Sequence, residues 1–314
     1  MTTRIAQIVE VSPRDGFQSI GSFIPTEQKI ALIKALHACG LQRIETTSFV
    51  SSSAVPQMAD AAEVLAAVRT LPGLDPSVLV PSRRQVERAL SAGANHLAFV
   101  VSVSAKHNMS NVKRTPAQSV AEYAQLVQTL PPGIRLRVNL ATAFDCPYQG
   151  TIDPADVLAL LSQLIPIAPW AEVALCDTTG RAAPTQVAKL FESAIKRFPD
   201  VTSWAFHAHD TYGLGVANVF AAWQSGVAVI DASAAGLGGC PFAPGATGNV
   251  ATEDVVWMFE RMGIATGVDL ARLCAVGRLI DELPGAQRGG RVRGALEAQA
   301  RLSRARSAIA PQTG

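Results

Sequence analysis

Short apolar segments alternate along this chain with longer segments in which apolar side chains recur at every third or fourth position. The short segments predict β-strands, and the longer ones predict amphipathic helices with one buried face. We expect strands at 4–11, 42–49, 77–81, 95–103, 134–142, 171–176, 203–209 and 227–233. We expect helices at 26–38, 56–70, 83–92, 116–130, 153–165, 184–198, 212–225 and 251–262, with Thr26 as the N-cap of the first helix and Gly40 at its end.

Eight repeats of strand and helix predict an α/β fold, a closed (β/α)8 TIM barrel of parallel strands. Such a barrel typically needs about 250 residues, and the 314 residues present leave room for a short extension. We therefore expect a barrel at 1–267 and a C-terminal helical extension with a basic tail at 268–314, including a helix at 268–283. The competing fold is a doubly wound open sheet. It usually carries a glycine-rich phosphate turn after the first strand, and PRDGFQ at 13–18 is not such a turn.

The composition is that of an ordinary globular protein, with 48% hydrophobic and 17% charged residues. A formal net charge of +2 gives no reason to expect a nucleic-acid or membrane partner. No apolar run reaches the roughly 20 residues of a membrane span, and the chain begins without an apolar signal segment. Five scattered cysteines form no CxxC pair and no zinc-like spacing. These features together lead us to expect a cytoplasmic protein.

The strongest chemical signal lies at the end of the seventh predicted strand. His207 and His209 are two positions apart, so both point to one side of that strand. In a barrel of this type the active residues gather at the carboxyl ends of the strands, and two imidazoles there suit a metal ion. The first strand ends in an Arg-Asp turn, where Asp15 could add an anionic oxygen and Arg14 could neutralise a developing oxygen anion. An ordinary ion pair between these two residues is the alternative.

A glycine-rich loop follows the eighth predicted strand and contains Cys240, for which a reactive thiol is favoured over a packing role. Asn249 ends this loop and could offer a metal a neutral oxygen. Glu253 opens the next helix, where negative charge already suits the helix dipole. Glu45 and Asp177 lie near the ends of their strands; each could bind substrate or orient a ligand, or belong to a buried ion pair.

The candidate donors are nitrogen and oxygen atoms with no thiolate among them. Such a set suits Mg²⁺ or Mn²⁺ better than Zn²⁺. A cation with open positions could chelate a hydroxyl and a carbonyl of one substrate and stabilise charge on oxygen as a bond breaks.

Several segments resemble the 3-hydroxy-3-methylglutaryl-CoA lyase (HMG-CoA lyase) family, within the barrel superfamily that also holds isopropylmalate and homocitrate synthases. These segments are VSPRDGFQ, IETTSFVSSSAVPQMADAAEVL, CPYQG, FHAHDTYG and GLGGCPFAPGATGNVATEDVVWM, and the resemblance runs from Ile8 to Val268. The last segment is the most specific. The condensing synthases share the Arg-Asp turn and the paired histidines, but they lack the cysteine loop and usually carry a long C-terminal regulatory domain.

The resemblance implies cleavage of HMG-CoA to acetoacetate and acetyl-CoA by a retro-Claisen step, the reaction of leucine degradation and ketone-body formation. It implies an acyl-CoA substrate, a divalent cation and a homodimer. The implied metal ligands are Asp15, His207, His209 and Asn249. Arg14 would stabilise the enolate, Cys240 would close the site and transfer a proton, and His207 or Asp15 would be the base. The implied supporting residues are Glu45, Asp177 and Glu253. We add Gln18, Asn139 and Arg181 as candidates that bind substrate or support these groups.

The sequence departs from the family pattern around the expected pocket. The departures are Ser19-Ile20 after Gln18, Ser53 in place of a lysine, Val138-Asn139 after Arg137, Asp145 in place of a glycine, and Arg181 in place of a small apolar residue. A lyase for a different branched 3-hydroxyacyl-CoA is therefore one alternative function, and a Claisen-type condensing synthase is another.

The segment from Pro284 onwards is rich in arginine and has Glu297 as its only acid. We interpret it as a mobile or loosely docked tail; contact with coenzyme A phosphates or with a second subunit is the alternative. A non-catalytic protein that uses this tail on nucleic acid is disfavoured, because the tail has no aromatic residues for base stacking.

Overall fold

A computed structural model describes residues 5–240, 243–287 and 289–309, the side chains at 240, 243–247 and 304–309 excepted. Eight parallel strands close into a barrel in the order β1-β8-β7-β6-β5-β4-β3-β2. They are β1 Gln7–Glu10, β2 Arg43–Ser48, β3 Asp75–Leu79, β4 His96–Ser102, β5 Arg135–Ala141, β6 Glu172–Asp177, β7 Trp204–Ala208 and β8 Val229–Ala232. All eight lie where the hydrophobic pattern predicts a strand, so the predicted (β/α)8 barrel is confirmed.

The helices surround the barrel and present their apolar faces to the outer side of the strands. They are α1 Thr26–Ala38, α2 Ala61–Val68, α3 Arg83–Ser91, α4 Ala105–Val112, α5 Pro116–Gln128, α6 Pro154–Leu164, α7 Pro184–Arg197, α8 Gly215–Gln224, α9 Thr252–Arg261, α10 Leu270–Asp281 and α11 Val292–Ile309. Helices α4 and α11 are absent from the sequence prediction. The expected N-cap role of Thr26 is wrong: Pro25 occupies the N-cap position, and the Thr26 hydroxyl donates to Asp60 on a neighbouring segment.

The interior of the barrel is partly apolar and partly charged. A small cluster of Val9, Val11, Ala174, Ala205 and Val229 fills one part of it. Ion pairs cross the rest, because Arg43 of β2 reaches Glu172 of β6 and Arg137 of β5 reaches Asp231 of β8, two pairs of strands that are not neighbours. These buried charges lie on the path from the floor of the barrel to its carboxyl rim.

The C-terminal extension is docked at the start of its last helix. The Asp254 carboxylate accepts the backbone N–H groups of Arg291 and Val292, which open α11, and Gly289 donates its backbone N–H to Ala235. Arg293 adds an ion pair with Asp281. The segment interpreted as a loose tail is therefore tied to the rim loop that follows β8. In the described part of the chain no helix is long and apolar enough to cross a membrane.

Candidate active site

The two histidines of β7 point together into the carboxyl end of the barrel. His207 is the penultimate residue of β7, and His209 directly follows the last one, Ala208, so both project to the interior side as the alternation of a strand requires. Their Nε2 atoms lie 3.2 Å apart, and both rings are buried. The predicted pairing of these imidazoles at the rim is present.

Asp15 and Asn249 complete this group from opposite ends of the chain. After β1 the backbone forms a π-helical turn at Ser12–Gly16, which places the Asp15 carboxylate 4.0 Å from Nε2 of His209. Asn249 forms an isolated backbone bridge with His209, and its Nδ2 donates to Asp15 Oδ2 at 2.8 Å. Its Oδ1 is buried and has no hydrogen-bond partner among the residues that the structure describes.

This arrangement fits a divalent cation. One ligand atom from each of Asp15, His207 and His209 lies within 4.8 Å of the others. The Asn249 amide beside them holds a buried oxygen that accepts no hydrogen bond from the described part of the chain, and a cation would satisfy this oxygen. Carboxylate and amide oxygens with two imidazoles form the donor set that Mg²⁺ and Mn²⁺ accept.

The local electrostatics leave these donors in the forms that bind cations. Burial alone would raise the pKa of Asp15, but the Arg14 guanidinium and the two imidazoles hold that pKa well below its usual range. Burial, with a smaller contribution from His207, lowers the pKa of His209 to about 4. Asp15 is therefore an anion and His209 is neutral at pH 7, as metal ligands must be.

Arg14 is clamped between two carboxylates. Its Nη1 donates to Asp15 Oδ1 at 2.5 Å, and its Nε donates to Glu45 Oε2 at 2.6 Å. The side-chain amide of Gln18 also donates to Asp15 Oδ1, the oxygen that Arg14 binds. The predicted Arg14–Asp15 ion pair exists, and Glu45 acts through Arg14 by fixing its guanidinium plane.

The loop after β8 approaches the site so closely that glycine is required in it. Gly238 has φ +136, and a Cβ there would lie 2.4 Å from Nδ2 of Asn249. Its side-chain-free backbone lets the chain pass over Asn249 and continue into a short hairpin of Gly239–Cys240 and Ala243–Thr247. The Cys240 side chain lies outside what the structure describes, so its predicted role stays a prediction.

Glu253 supports this loop from behind and does not touch the histidines or Asp15 in the described contacts. Both of its carboxylate oxygens accept the backbone N–H of Ala235, a residue with φ 59. Glu10 of β1 also holds this loop, because its carboxylate accepts the backbone N–H groups of Ser12 and Ala234. The two buried acids therefore hold the Arg-Asp turn and the glycine loop in one arrangement.

Three other predicted residues lie on the rim or inside the barrel with different partners. Asn139 accepts a hydrogen bond from Arg137 at 2.8 Å. The Asp177 carboxylate accepts the N–H of Ala182 in its own loop, and burial raises its pKa to about 6. Arg181, with its side chain 44% exposed, lies 3.5 Å from Asp145 and donates to the Tyr212 hydroxyl. Two departures from the family pattern, Asp145 and Arg181, are thus an ion pair.

Sequence reasoning missed Asp231, which contacts a predicted ligand directly. Its Oδ2 lies 3.0 Å from Nδ1 of His207, while Arg137 donates to both of its oxygens. Burial alone would raise the pKa of Asp231, but Arg137 and His207 hold it at about 2. The sequence feature that could have predicted Asp231 is an acidic residue inside the otherwise apolar eighth strand. Glu10 is a similar acidic residue in the first strand.

The comparison with family models decides the assignment. The model of a family described as HMGL-like matches residues 5–280, most of the chain. The chain belongs to the HMGL-like family.

Several proteins similar to this chain are named as CoA lyases. The mitochondrial hydroxymethylglutaryl-CoA lyase of Mus musculus is 41% identical over 275 residues, covering 87% of this chain and 84% of that protein. The (R)-citramalyl-CoA lyase of Chloroflexus aurantiacus is 40% identical over 279 residues, covering 85% and 87%. A solved HMG-CoA lyase of Acinetobacter baumannii, in complex with coenzyme A and 3-methylmalate, superposes with a TM-score of 0.88 at 37% identity, covering 94% of this chain and 96% of that one.

Proposed function

We propose that this protein is a divalent-metal-dependent lyase that cleaves 3-hydroxy-3-methylglutaryl-CoA to acetoacetate and acetyl-CoA. The observation that carries the proposal is the convergence of Asp15, His207 and His209 on one point of the barrel rim beside Arg14. Membership of the HMGL-like family and relatives named HMG-CoA lyase at about 40% identity support the same reaction.

Asp15, His207, His209 and Asn249 would hold the cation, with Mg²⁺ or Mn²⁺ as the expected metal. A bound cation would acidify the tertiary hydroxyl of the substrate and stabilise negative charge on its oxygens. The clamped guanidinium of Arg14 would neutralise the thioester oxygen as the C2–C3 bond breaks and its electron pair passes into the acetyl-CoA enolate. Loss of the hydroxyl proton leaves the C3 oxygen as the ketone of acetoacetate, and a proton added at C2 completes acetyl-CoA.

Two groups of this chain are candidates to accept the hydroxyl proton. Arg14 keeps the Asp15 carboxylate ionised and weakly basic. Burial alone would lower the pKa of His207, but the carboxylate of Asp231 raises it above its ordinary value. His207 accepts the proton only while its Nε2 is not bound to the cation; when both imidazoles bind the cation, Asp15 is the remaining candidate. Cys240, on the loop that passes over Asn249, is the proposed group for protonating the enolate and for closing the site against water.

The decisive experiment is a turnover assay on the purified protein with HMG-CoA, first with Mg²⁺ and then with EDTA, measuring acetoacetate. We expect metal-dependent acetoacetate formation at an ordinary enzymatic rate. Folded protein that binds Mn²⁺ yet releases no acetoacetate would overturn the substrate assignment. Consumption of acetyl-CoA with an oxoacid, without cleavage, would instead indicate a condensing synthase.

The acyl group is the part of the proposal that the assay must examine most closely. A citramalyl-CoA lyase matches this chain as well as the HMG-CoA lyases do, and Asp145 and Arg181 place charge on the rim loops. The same assay should therefore be run with citramalyl-CoA, whose cleavage releases pyruvate. A higher kcat/KM for citramalyl-CoA would keep the lyase chemistry and change the substrate.

We also propose a cytoplasmic homodimer, an expectation taken from the family resemblance. Relatives at about 40% identity include a protein of Rattus norvegicus named as cytoplasmic and several named as mitochondrial. Size-exclusion chromatography with light scattering measures the mass of the protein in solution, and a monomeric mass would refute the dimer.

A further inference from the structure

Asp231 and Arg137 form a buried unit directly behind His207. Arg137 donates through Nη1 and Nη2 to the two oxygens of Asp231 at 2.9 and 2.7 Å. One of these oxygens, Oδ2, also lies 3.0 Å from Nδ1 of His207. All three residues are buried.

We propose that Asp231, held by Arg137, is the positioning residue that fixes the tautomer and ring orientation of His207 for metal binding. The proposal rests on the metal site of the proposed function. An ionised carboxylate can only accept hydrogen bonds, so Nδ1 of His207 must be the donor and carry the proton. In a neutral imidazole the lone pair is then on Nε2, the atom that faces His209 and Asp15.

Arg137 gives Asp231 a fixed position because its own guanidinium is held on other sides. Its Nε donates to Asn139 Oδ1 at 2.8 Å, and its Nη1 lies 3.5 Å from Glu172. Glu172 is bound in turn by both terminal nitrogens of Arg43 across the barrel. A continuous line of buried charges therefore runs from β2 to His207, and no member can rotate without breaking a contact.

Of the two histidines, His207 is the one whose Nδ1 contacts a carboxylate. Nδ1 of His209 is buried and has no hydrogen-bond partner in the described residues. Its ring is placed by packing and by the backbone bridge to Asn249. Loss of the carboxylate at position 231 should therefore act on the site through His207 alone.

Asp231→Asn is the informative substitution because it keeps the shape and changes the donor pattern. The guanidinium of Arg137 has only donors, so it would take the amide oxygen and turn the amide NH₂ towards His207. Nδ1 would then have to accept, and the proton would move to Nε2, which removes the lone pair from the metal-facing atom. We expect Mn²⁺ to bind Asp231→Asn about 10 to 100-fold more weakly, as with other losses of groups that orient metal ligands.

The experiment measures Mn²⁺ affinity of EDTA-treated protein by calorimetry and the histidine tautomers of metal-free protein by ¹⁵N NMR. Asp75→Asn is the matched control, because Asp75 is an acid of the same interior network that pairs with Arg43 and does not contact His207. We expect Asp75→Asn to bind Mn²⁺ like the wild type. At an alkaline pH where the imidazole is neutral, we expect wild-type His207 to carry its proton on Nδ1 and the Asp231→Asn protein to carry it on Nε2.

Equal Mn²⁺ affinity of the wild type and Asp231→Asn would overturn the proposal. It would also be overturned if Asp75→Asn lost as much Mn²⁺ affinity as Asp231→Asn. A neutral His207 ring with its single proton on Nε2 in the wild type would overturn the proposal without reference to any variant, even where Asp231→Asn fails to fold. Failure of the wild type to bind Mn²⁺ would refute the metal site of the proposed function instead, and the tautomer measurement would still decide the role of Asp231.

Discussion

His207 and His209 face each other at 3.2 Å between their Nε2 atoms, a separation at which two protonated rings would repel strongly. Asp15 lies 4.0 Å from the second of these atoms. At this distance the two Nε2 atoms can share one proton in a hydrogen bond or bind one cation, with the Asp15 anion beside them.

Replacing His209 with alanine should abolish most of the metal binding and of the turnover. The variant loses one of the two imidazole donors, and a loss of about 4 kcal/mol of transition-state stabilisation corresponds to roughly a thousandfold fall in kcat/KM. Calorimetry with Mn²⁺ and the acetoacetate assay measure the two effects. His37→Ala is the control, since His37 contacts only the backbone carbonyls of Leu41 and Pro72 in the described structure. A His209→Ala enzyme with normal affinity and rate would refute the site.

Replacing Arg14 with glutamine should separate chemistry from metal binding. The variant keeps Asp15, His207 and His209 but loses the cation proposed to stabilise the enolate. Removing one such stabilising group typically costs about 10² to 10³-fold in kcat, and we expect KM and Mn²⁺ affinity to change far less. Arg14→Lys should recover only part of the rate, because one ammonium cannot reach both Asp15 and Glu45 with the guanidinium geometry. A loss of Mn²⁺ affinity as large as the loss of kcat would argue for a purely structural role.

Replacing Arg181 with alanine tests whether the rim ion pair with Asp145 selects the acyl group. The pair is open to solvent on the arginine side and spans 3.5 Å, so its contribution to the free energy of unfolding should be below about 1 kcal/mol. We expect the ratio of kcat/KM for HMG-CoA and citramalyl-CoA to change at least several-fold while the melting temperature stays nearly constant. Arg197→Ala, an exposed arginine on α7, is the control. An unchanged ratio would exclude Arg181 from acyl selection.

The buried Glu253 should make the stability of the fold depend on pH. Burial, with a further contribution from Glu10, raises the pKa of Glu253 to about 7. The unfolded chain releases this proton near its ordinary pKa of 4.5, so the stabilising effect is complete below that pH and is lost as pH rises through about 7. The loss is on the order of 3 kcal/mol.

The measurement is the free energy of unfolding of the wild type and of Glu253→Gln at pH 5 and pH 8. Because glutamine does not ionise, the variant should gain stability relative to the wild type by that amount between the two pH values. Glu282→Gln, at an exposed position after α10, should show no such change. A constant difference between the wild type and Glu253→Gln would mean that Glu253 is ionised throughout.

The barrel and the paired imidazoles of its site could be predicted from local patterns in the sequence. Strand and helix periodicities are local properties, so all eight strands and nine of the eleven helices follow from the hydrophobic pattern. The spacing of His207 and His209 is equally local, because alternate residues of a strand share a side. The missed helix α4 is short, and α11 has an arginine-rich composition that resembles a tail.

The residues that meet these histidines from distant parts of the chain became known from the folded barrel. Asn249 reaches Asp15 across 234 positions because closure of the barrel brings β1 beside β8. Parallel pairing of β7 with β8 places Asp231 beside His207, and Arg137 reaches Asp231 across the barrel interior. Asp145 and Arg181 stand as two separate departures from the family pattern, and the packing of two rim loops makes them a pair. The periodicity of one segment carries no information on which other segment its side chains will face.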